Sequence, residues 1–428
     1  MTTAEYTAKV RELSDRIVDA QRPLRILDAI KWDENVRRTF LASRGTQLPA
    51  VDRDYYASRS LPFDPDDKRA ELLGLSRDVS RALGAMNPLG ELMQRMCREY
   101  LAVIDLLEGR GTPQFSAISQ LLYGAAGDAL HAGEPTLADL GMRMAAALAN
   151  LSKHAELPPD RKIYDGSQAV ELLQERLDRV FGAGDERLVS VVLSDGIVAD
   201  AAAGAQKLKI RKEARFSERD LRALEIHEGW VHLGTTLNGA EQPYCTFLSK
   251  GPPTSTVTQE GLAIFMEILS FASYPERVKR ITNRIRAIDM AERGADFIDV
   301  YRFFGDEGLG PEDAYGAASR VFRGSLPDAG PFTKDISYSK GFVLIYTFLQ
   351  LAVVRGRMDR IPLLCCGKTT LQDIATLAQL VEEGVVRPPR FVPPPFADPR
   401  ALAAWMCYSH FFSSLTFDRI EADYARML

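Results

Sequence analysis

The sequence predicts an α+β protein that is mostly helical, with a small sheet beside one of its helices. Over most of the chain, apolar residues recur three and four positions apart, which is the period of an amphipathic helix. Residues 187–197 instead contain a β-branched run that is typical of a strand. Residues 207–216 alternate charged and apolar side chains, which predicts a second, half-exposed strand. The helix after them is expected to begin at Ser217, because Ser217-x-x-Asp220 is close to a capping box.

Residues 1–155 are predicted to form a helical N-terminal scaffold without chemistry of its own. Helices are expected near residues 4–45, 67–109 and 136–152. Asn87-Pro88 divides the second block into two helices, because the residue before a proline avoids the helical conformation.

Residues 156–428 are predicted to form the region that carries the chemistry. A helix at about 166–182 precedes the two strands. Beyond residue 274 further helices are expected near 275–292, 311–323, 339–356, 370–383 and 400–413. The longest apolar run, 342–354, is shorter than the roughly 20 residues that span a bilayer, so we expect a buried helix there.

Composition argues against several classes of protein. With 428 residues, 46% of them apolar and 26% charged, the chain can bury a large core in two or three domains. A net charge of −5 argues against nucleic acid or an anionic membrane as a partner. Five cysteines, an odd number without a CxxC pair, favour a reducing compartment over a disulfide framework. Because no secretory signal is visible at the N-terminus, we expect a cytoplasmic protein.

Two of the five histidines bracket one glutamate in the sequence HEGWVH, which runs from His227 to His232. A second glutamate, Glu260, follows in the sequence QEGLA. Histidine, glutamate, histidine and a distant glutamate is the ligand order of a zinc hydrolase. His227, His232 and Glu260 would bind Zn²⁺, and Glu228 would be the general base for the attacking water.

The spacing of the two histidines predicts an irregular helix. Histidines four residues apart lie roughly 40° apart around an α-helix, whereas His227 and His232 are five apart, about 140° by the same geometry. A π-type turn absorbs the extra residue, and Gly229 between them makes such a turn easier. We therefore expect a widened turn between Glu228 and His232. On this pattern alone, a partly buried ion-pair cluster is the alternative.

The surroundings of Glu260 strengthen the metal hypothesis. Thr256-x-x-Gln259 predicts a capping box, which would place Glu260 in the first turns of an apolar helix. A carboxylate at the start of so apolar a helix needs a partner. The partner is a metal ion in one interpretation and a structural salt bridge in the other.

These motifs resemble those of a known family. HEGWVH and QEGLA, together with PFTKDI and Tyr338, resemble the bacterial proteins that are named for a QEGLA motif and labelled as modulators of flavohaemoglobin expression. That family is related to the microtubule-associated tyrosine carboxypeptidases, zinc enzymes that remove the C-terminal tyrosine of α-tubulin. The resemblance covers most of the chain. It implies that His227, His232 and Glu260 bind zinc and that Glu228 is catalytic. Dipeptidyl peptidase III is similar in its HExxxH spacing.

The strand at 207–216 suggests how a peptide is held. Its lysines and arginines suit the unpaired edge of a sheet. An edge strand can hold an extended peptide by backbone hydrogen bonds, and strand, edge strand and motif helix follow one another in many zinc peptidases. The alternative is that these charges only solvate an edge.

Removal of a terminal residue also requires groups for a free carboxylate and for an oxyanion. Arginine forks or a lysine bind carboxylates well, and the candidates are Arg320, Arg323 and Lys334. The first candidate for the oxyanion is Tyr338, followed by Tyr244 and Tyr301.

Together, these observations predict a zincin-like metallopeptidase core of the glutamate-zincin type. The predicted activity is that of a zinc carboxypeptidase acting on the C-terminus of a peptide or protein, with tyrosine as the terminal residue suggested by the resemblance. Two alternatives remain open at this point. One is a non-catalytic regulatory or binding protein that zinc stabilises, and the other is a zinc hydrolase of a non-peptide amide or ester. Neither nucleic acid nor a membrane is an expected partner.

Overall fold

The computed structural model describes residues 2–133, 135–154, 158, 160–182, 188–197, 199–415, 420–421 and 424. Most regular structure in these residues is helical. The α-helices are α1 (Thr3–Gln21), α2 (Ile26–Ile30), α3 (Glu34–Ala42), α4 (Arg53–Ala57), α5 (Pro65–Leu83), α6 (Pro88–Glu108), α7 (Pro113–Tyr123), α8 (Leu137–His154), α9 (Gly166–Phe181), α10 (Glu218–Leu224), α11 (Gly234–Ala240), α12 (Ser255–Leu269), α13 (Pro275–Glu292), α14 (Phe297–Asp306), α15 (Pro311–Phe322), α16 (Ser337–Val354), α17 (Ile374–Glu382), α18 (Pro394–Ala397) and α19 (Pro399–Ser413). A π-helix, Glu225–Leu233, joins α10 to α11. Short 3-10 helices lie at Thr246–Ser249, Thr333–Ile336, Met358–Arg360, Pro362–Cys365 and Leu371–Asp373.

Two predicted helix starts are confirmed. Asn87 precedes α6 and accepts a hydrogen bond from the Gly90 N–H at 2.9 Å, and Pro88 occupies the first helical position. The helical block at 67–109 is therefore divided where the sequence predicts. Ser217 and Asp220 form the predicted capping box at the start of α10.

Among the described residues, the sheet has three strands, β1 (Ser190–Ser194), β2 (Ala201–Ala203) and β3 (Lys207–Arg211), in the order β1-β3-β2. β3 runs parallel to β1 and antiparallel to β2. The strand at 207–216 was expected to be an edge strand, and this prediction is wrong, because both backbone edges of β3 are paired. Its alternation arises from the two faces of the sheet: Leu208 and Ile210 are fully buried on one face, and Lys207 and Lys209 are exposed on the other.

The edge nearest the π-helix is β2, which the sequence analysis did not predict. Its three alanines lack the β-branched and aromatic side chains by which a strand is recognised. The Gly204 N–H donates to the Lys207 carbonyl at 2.7 Å, and the Arg211 N–H donates to the Asp200 carbonyl at 2.9 Å. Because backbone groups alternate along an antiparallel strand, Ala201 and Ala203 direct theirs to the open edge.

The π-helix confirms the predicted widened turn. In a π-helix the N–H groups bond to carbonyls five residues earlier, so residues five apart lie on the same face. His227 and His232 are therefore aligned without any break in the helix. The π-helix packs against α12, which carries Glu260.

Helices α12 and α16 cross at very short range. A Cβ atom on Gly261 would lie 2.1 Å from the carbonyl carbon of Gly341, and one on Gly341 would lie 1.9 Å from the Val257 carbonyl oxygen. Only glycine fits at both positions, since the two backbones are in direct contact. The glycine of the QEGLA sequence thus fixes the position of the helix that carries Glu260.

The largest core cluster contains residues from both predicted regions. Leu13 and Ile17 of α1 and Met93 of α6 share it with Val231 of the π-helix and Leu262 of α12, and all five are fully buried. The predicted scaffold, residues 1–155, therefore packs directly against the helices that carry the motifs. The division at residue 155 stays a prediction.

The apolar run predicted as a helix belongs to α16. In the described part of the chain, one helical stretch, Thr333–Val354, is long and apolar enough to cross a membrane by length and composition alone. It packs against α12 on one side and α19 on another, and Ile345 and Leu349 are fully buried.

Candidate metal centre

Three predicted ligands converge on one point. The Nε2 atoms of His227 and His232 lie 3.3 Å and 3.5 Å from the same oxygen of Glu260, Oε2. The two imidazole rings are nearly perpendicular, with centroids 4.8 Å apart. His227 and Glu260 are buried, and 15% of the His232 side chain is exposed. We call these three residues the metal triad.

The metal triad fits a zinc ion. Two imidazole nitrogens and one carboxylate oxygen are the donor set of a catalytic zinc site that keeps an open position. One donor atom from each residue lies within 4.8 Å of the others, so that one cation could contact all three. In addition, Glu260 is a buried carboxylate, which requires a neighbouring positive charge.

A second carboxylate, Glu267, supports the metal triad from behind. Its Oε1 lies 2.6 Å from His227 Nδ1, and Arg277 of α13 donates to the same oxygen at 2.8 Å and to Oε2 at 3.1 Å. A ligand histidine commonly donates its other ring nitrogen to a carboxylate, which orients the ring. Glu267 was not predicted from the sequence. The available signal was its position seven residues after Glu260, on the same face of one apolar helix.

The ionisable groups around His227 strongly shift one another's pKa values. Burial alone would lower the pKa of His227, but hydrogen bonds to Glu260 and Glu267 raise it well above its usual range. The pKa of Glu267 is low although burial would raise it, because Arg277 and His227 favour the carboxylate. A positive charge is thus favoured between Glu260 and Glu267, and a proton on His227 supplies one when no metal ion is bound.

Glu228 lies beside the metal triad and points to the sheet. Its Oε2 accepts a hydrogen bond from the Ala203 N–H at 2.9 Å, and this N–H lies on the open edge of β2. The sheet is therefore hydrogen-bonded to the motif helix through its edge strand β2. This bond fixes the general-base candidate between the open strand edge and the metal triad.

The predicted capping box Thr256-x-x-Gln259 is wrong. Helix α12 begins at Ser255, two residues earlier than predicted, and its N-cap residue is Thr254. The N–H and Oγ1 of Thr254 donate to Glu99 of α6 at 3.1 Å and 2.8 Å. Gln259 lies a full turn inside the helix, too far along to bond to its first residues. Its Oε1 instead accepts a hydrogen bond from Thr235 Oγ1 at 2.8 Å.

The predicted carboxylate-binding residues are separated by the structure. Arg320 donates from Nε and Nη2 to the two oxygens of Asp335 at 2.7 Å and 2.9 Å. Lys334 lies elsewhere, with Nζ 3.6 Å from Glu260 Oε1. Arg284, which the sequence analysis missed, lies 3.8 Å from Asp335 and 4.5 Å above the ring of Tyr338.

Positive charge exceeds negative charge around Asp335. We call Arg284, Arg320, Arg323 and Asp335 the arginine cluster. Burial and the charge of Arg320 lower the pKa values of Arg284 and Arg323. Burial alone would raise the pKa of Asp335, but Arg320 and Arg284 hold it well below its usual range. Among the described residues, Arg284 Nη1 and Arg323 Nε are buried without a hydrogen-bond partner.

Of the three tyrosine candidates, Tyr338 is the one whose described contacts reach the metal triad. Its ring is stacked on His227 at 26°, with centroids 6.3 Å apart. Tyr301 packs against Phe40 in a different core cluster, with ring centroids 5.0 Å apart, and Tyr244 packs against the largest cluster. Tyr338 therefore lies between the metal triad and the arginine cluster.

Comparisons with known proteins identify a family. The family model described as microtubule-associated tyrosine carboxypeptidase matches residues 38–414, which include every residue of the metal triad and the arginine cluster. A solved structure described as the apo-Mg form of Pyrococcus furiosus carboxypeptidase aligns with 96% of this chain and 99% of that chain, at 13% identity and a TM-score of 0.41, which is too weak a likeness to define a shared fold. No curated protein matches. Because the family match covers well over half of its residues, the chain belongs to the microtubule-associated tyrosine carboxypeptidase family.

Proposed function

We propose that this protein is a zinc-dependent carboxypeptidase that removes one C-terminal residue, preferentially tyrosine, from a peptide or protein. The observation that carries the proposal is the convergence of His227, His232 and Glu260 on one point, beside Glu228. We assign the core to the glutamate-zincin type, because two histidines and a glutamate from a second helix form the ligand set. The preference for tyrosine rests on the family to which the chain belongs.

The residues around the metal triad supply the steps that the reaction needs. When bound there, Zn²⁺ supplies a Lewis acid. Glu228 takes a proton from the attacking water and delivers it to the leaving amine. The Ala203 N–H holds the Glu228 carboxylate at the side of the triad, so the base is oriented before the substrate arrives.

The open edge of β2 offers a place for the peptide upstream of the cleaved bond. Ala201 and Ala203 direct their backbone groups away from β3, so an extended peptide can pair with this edge. The Ala203 N–H is already used by Glu228, which ends the pairing there. A peptide that pairs with β2 would therefore lie next to the general base, Glu228, where the paired segment ends at Ala203.

The arginine cluster suits the free carboxylate of the substrate. Three arginines face one aspartate, and Arg284 Nη1 and Arg323 Nε are donors without acceptors among the described residues. A carboxylate that accepts hydrogen bonds from them would satisfy both donors and reduce the excess of positive charge. Tyr338 lies between this cluster and His227, where its hydroxyl can donate to the oxyanion that forms on the cleaved carbonyl. Lys334 lies beside Glu260 and outside this cluster, and it is the second candidate for binding the substrate carboxylate.

Mass spectrometry of peptides that differ only in their last residue tests the proposal. The wild type should take up one equivalent of zinc and shorten these peptides by one residue, fastest when that residue is tyrosine. Glu228→Gln should keep the zinc and lose cleavage, whereas His227→Ala should lose both. Glu225→Gln is the matched control, because Glu225 lies on the same π-helix but faces Arg176 at 3.5 Å, and it should cleave as the wild type does.

Three results would overturn the proposal. If the wild type takes up no stoichiometric zinc, the metal triad is an ion-pair cluster. If it binds zinc but cleaves no peptide, or if Glu228→Gln cleaves as fast as the wild type, the protein is a non-catalytic binding protein or acts by other residues.

A further inference from the structure

Lys368 lies behind the metal triad, in the segment that follows the 3-10 helix Pro362–Cys365. Its backbone N–H donates to the Leu248 carbonyl at 2.7 Å. Gly367 approaches the same carbonyl so closely that a Cβ atom would lie 2.5 Å from its oxygen. The segment is therefore held rigidly against Leu248, and the Lys368 side chain extends inward from a fixed base.

The Lys368 ammonium makes three hydrogen bonds. Nζ donates to the His232 carbonyl oxygen at 2.9 Å, to Thr235 Oγ1 at 3.0 Å and to Gln259 Oε1 at 2.9 Å. An ammonium has three donors, so all of them are used. No carboxylate of the described residues lies within ion-pair distance of Nζ. This is unusual for a partly buried lysine and argues against a simple salt bridge.

Two of the three acceptors belong to the elements that carry metal ligands, and the third, Thr235, lies in the first turn of α11, directly after the π-helix. His232 is itself a member of the metal triad, and its carbonyl lies at the end of the π-helix, where it also accepts from Thr236 Oγ1 at 2.7 Å. Gln259 immediately precedes Glu260 on α12. Thr235 bonds to Gln259 directly at 2.8 Å, so lysine, threonine and glutamine form one polar bridge between the two elements.

We infer that Lys368 is a positioning residue that connects the π-helix to α12 and fixes the distance between His232 and Glu260. The inference rests on the proposed metal site. It adds to that proposal a residue that contacts neither the metal nor the substrate. A metal site tolerates errors of only a few tenths of an ångström in ligand position, so loss of such a support weakens metal binding while every ligand remains present.

A zinc titration against a chromophoric chelator tests this role. Lys368→Met keeps an unbranched side chain but removes all three donors, and we expect it to bind zinc about 10–100-fold more weakly than the wild type. Gln259→Leu should weaken binding in the same range, and the double variant should be weaker by clearly less than the product of the two effects, because both changes break one bridge. Lys250→Met is the matched control and should bind zinc like the wild type, since Lys250 is a partly buried lysine outside the bridge.

Hydrogen exchange of the metal-free proteins provides a second readout. In Lys368→Met, amides of the π-helix and of the first turns of α12 should exchange faster than in the wild type, while those of α5 and α6 should not change.

Equal zinc affinity in Lys368→Met and the wild type would overturn the inference even if the melting temperature fell, and so would unchanged exchange. If Lys368→Met does not fold, the zinc affinity and the hydrogen exchange of Gln259→Leu test the inference instead. A wild type that binds no zinc contradicts the proposed function, whereas the exchange comparison still reports on the bridge.

Discussion

The π-helix and helix α12 bring ligands to the same point by opposite means. The π-helix supplies two ligands that are five residues apart, and it departs from α-helical geometry to align them. Helix α12 supplies one ligand, Glu260, and behind it the supporting carboxylate Glu267, seven residues later on a regular α-helix. The difference shows that a widened turn is needed only where the spacing of two ligands conflicts with the helical period.

The two helices are also fixed by different forces. Helix α12 is fixed by steric contact, because Gly261 touches the backbone of Gly341. The end of the π-helix is fixed by side-chain hydrogen bonds to the His232 carbonyl, from Thr236 Oγ1 at 2.7 Å and from Lys368 Nζ at 2.9 Å. Substitutions that add volume should therefore damage α12 most, and substitutions that remove charge or hydrogen bonds should act through the metal site.

The largest expected effect is that of Gly261→Ala. The new Cβ would lie 2.1–2.4 Å from backbone atoms of Gly341, which cannot move without separating α12 from α16. We expect a loss of about 3 kcal/mol or more in the free energy of unfolding, at or above the upper end of overpacking costs. Denaturant unfolding measures this loss.

Gly316→Ala on α15 is the matched control, because nothing lies within 4 Å of its new Cβ, and it should be stabilising by about 0.5–1 kcal/mol. Equal stability of the two variants would show that the crossing is not rigid.

Glu267→Gln comes next and tests the support on α12. The change keeps the size of the side chain but removes the negative charge beside His227 and leaves Arg277 without its partner. We expect zinc affinity to fall about 10–100-fold. Competition with a chelator measures the affinity. The control is Glu276→Gln, an exposed glutamate on α13 that should leave the affinity unchanged. An unchanged affinity in Glu267→Gln would mean that His227 needs no orienting carboxylate.

A smaller effect is expected at the start of α12, where Glu99 accepts the hydrogen bonds of Thr254. Burial raises the pKa of Glu99 above its usual 4.5, against the effect of these bonds. A carboxyl whose pKa is raised on folding contributes stability that is fully present below pH 4.5 and is lost as the pH rises through the folded-state value. The melting temperature of the metal-free wild type should therefore rise relative to that of Glu99→Gln as the pH falls from neutral towards 4.5. Parallel curves for the two proteins would contradict the assigned direction.

The sequence predicted those parts of the site that depend on local spacing. The five-residue interval between His227 and His232 was sufficient to predict a widened turn, because the helical period is fixed. Glu260 was recognisable as a carboxylate in an apolar helix. Each of these inferences concerns residues on one element, where backbone geometry relates position in the chain to position in space.

The contacts between elements could not be predicted in the same way. Arg277 and Arg284 are two of many arginines, and only the packing of α13 against α16 and the 3-10 helix Thr333–Ile336 brings them to the site. The alternation of residues 207–216 showed that one face of the strand is exposed but carried no information on which of its edges is paired. Lys368 was equally hidden, since its three acceptors lie more than 100 residues away in the chain.

The smallest effect should be that of Gly229→Ala, which completes the comparison with Gly261→Ala. The sequence suggested that Gly229 makes the widened turn easier, yet its φ lies outside the left-handed region that only glycine adopts readily. A Cβ atom there would lie 2.6 Å from Leu177 Cδ2, the end of a flexible side chain, with no backbone atom in the way. We expect a cost of about 1 kcal/mol, at the lower end of overpacking, and unchanged zinc affinity.

Unfolding and zinc titration of Gly229→Ala, with and without Leu177→Ala, measure this effect. The double variant should cost less than the sum of the two single changes, because the shortened side chain makes room for the new methyl group. If Gly229→Ala instead abolishes zinc binding, as His227→Ala should, the π-helix depends on glycine at this position. If the affinity is retained, the widened turn is maintained by the hydrogen bonds to the His232 carbonyl, and the two glycines of the HEGWVH and QEGLA sequences have different physical roles.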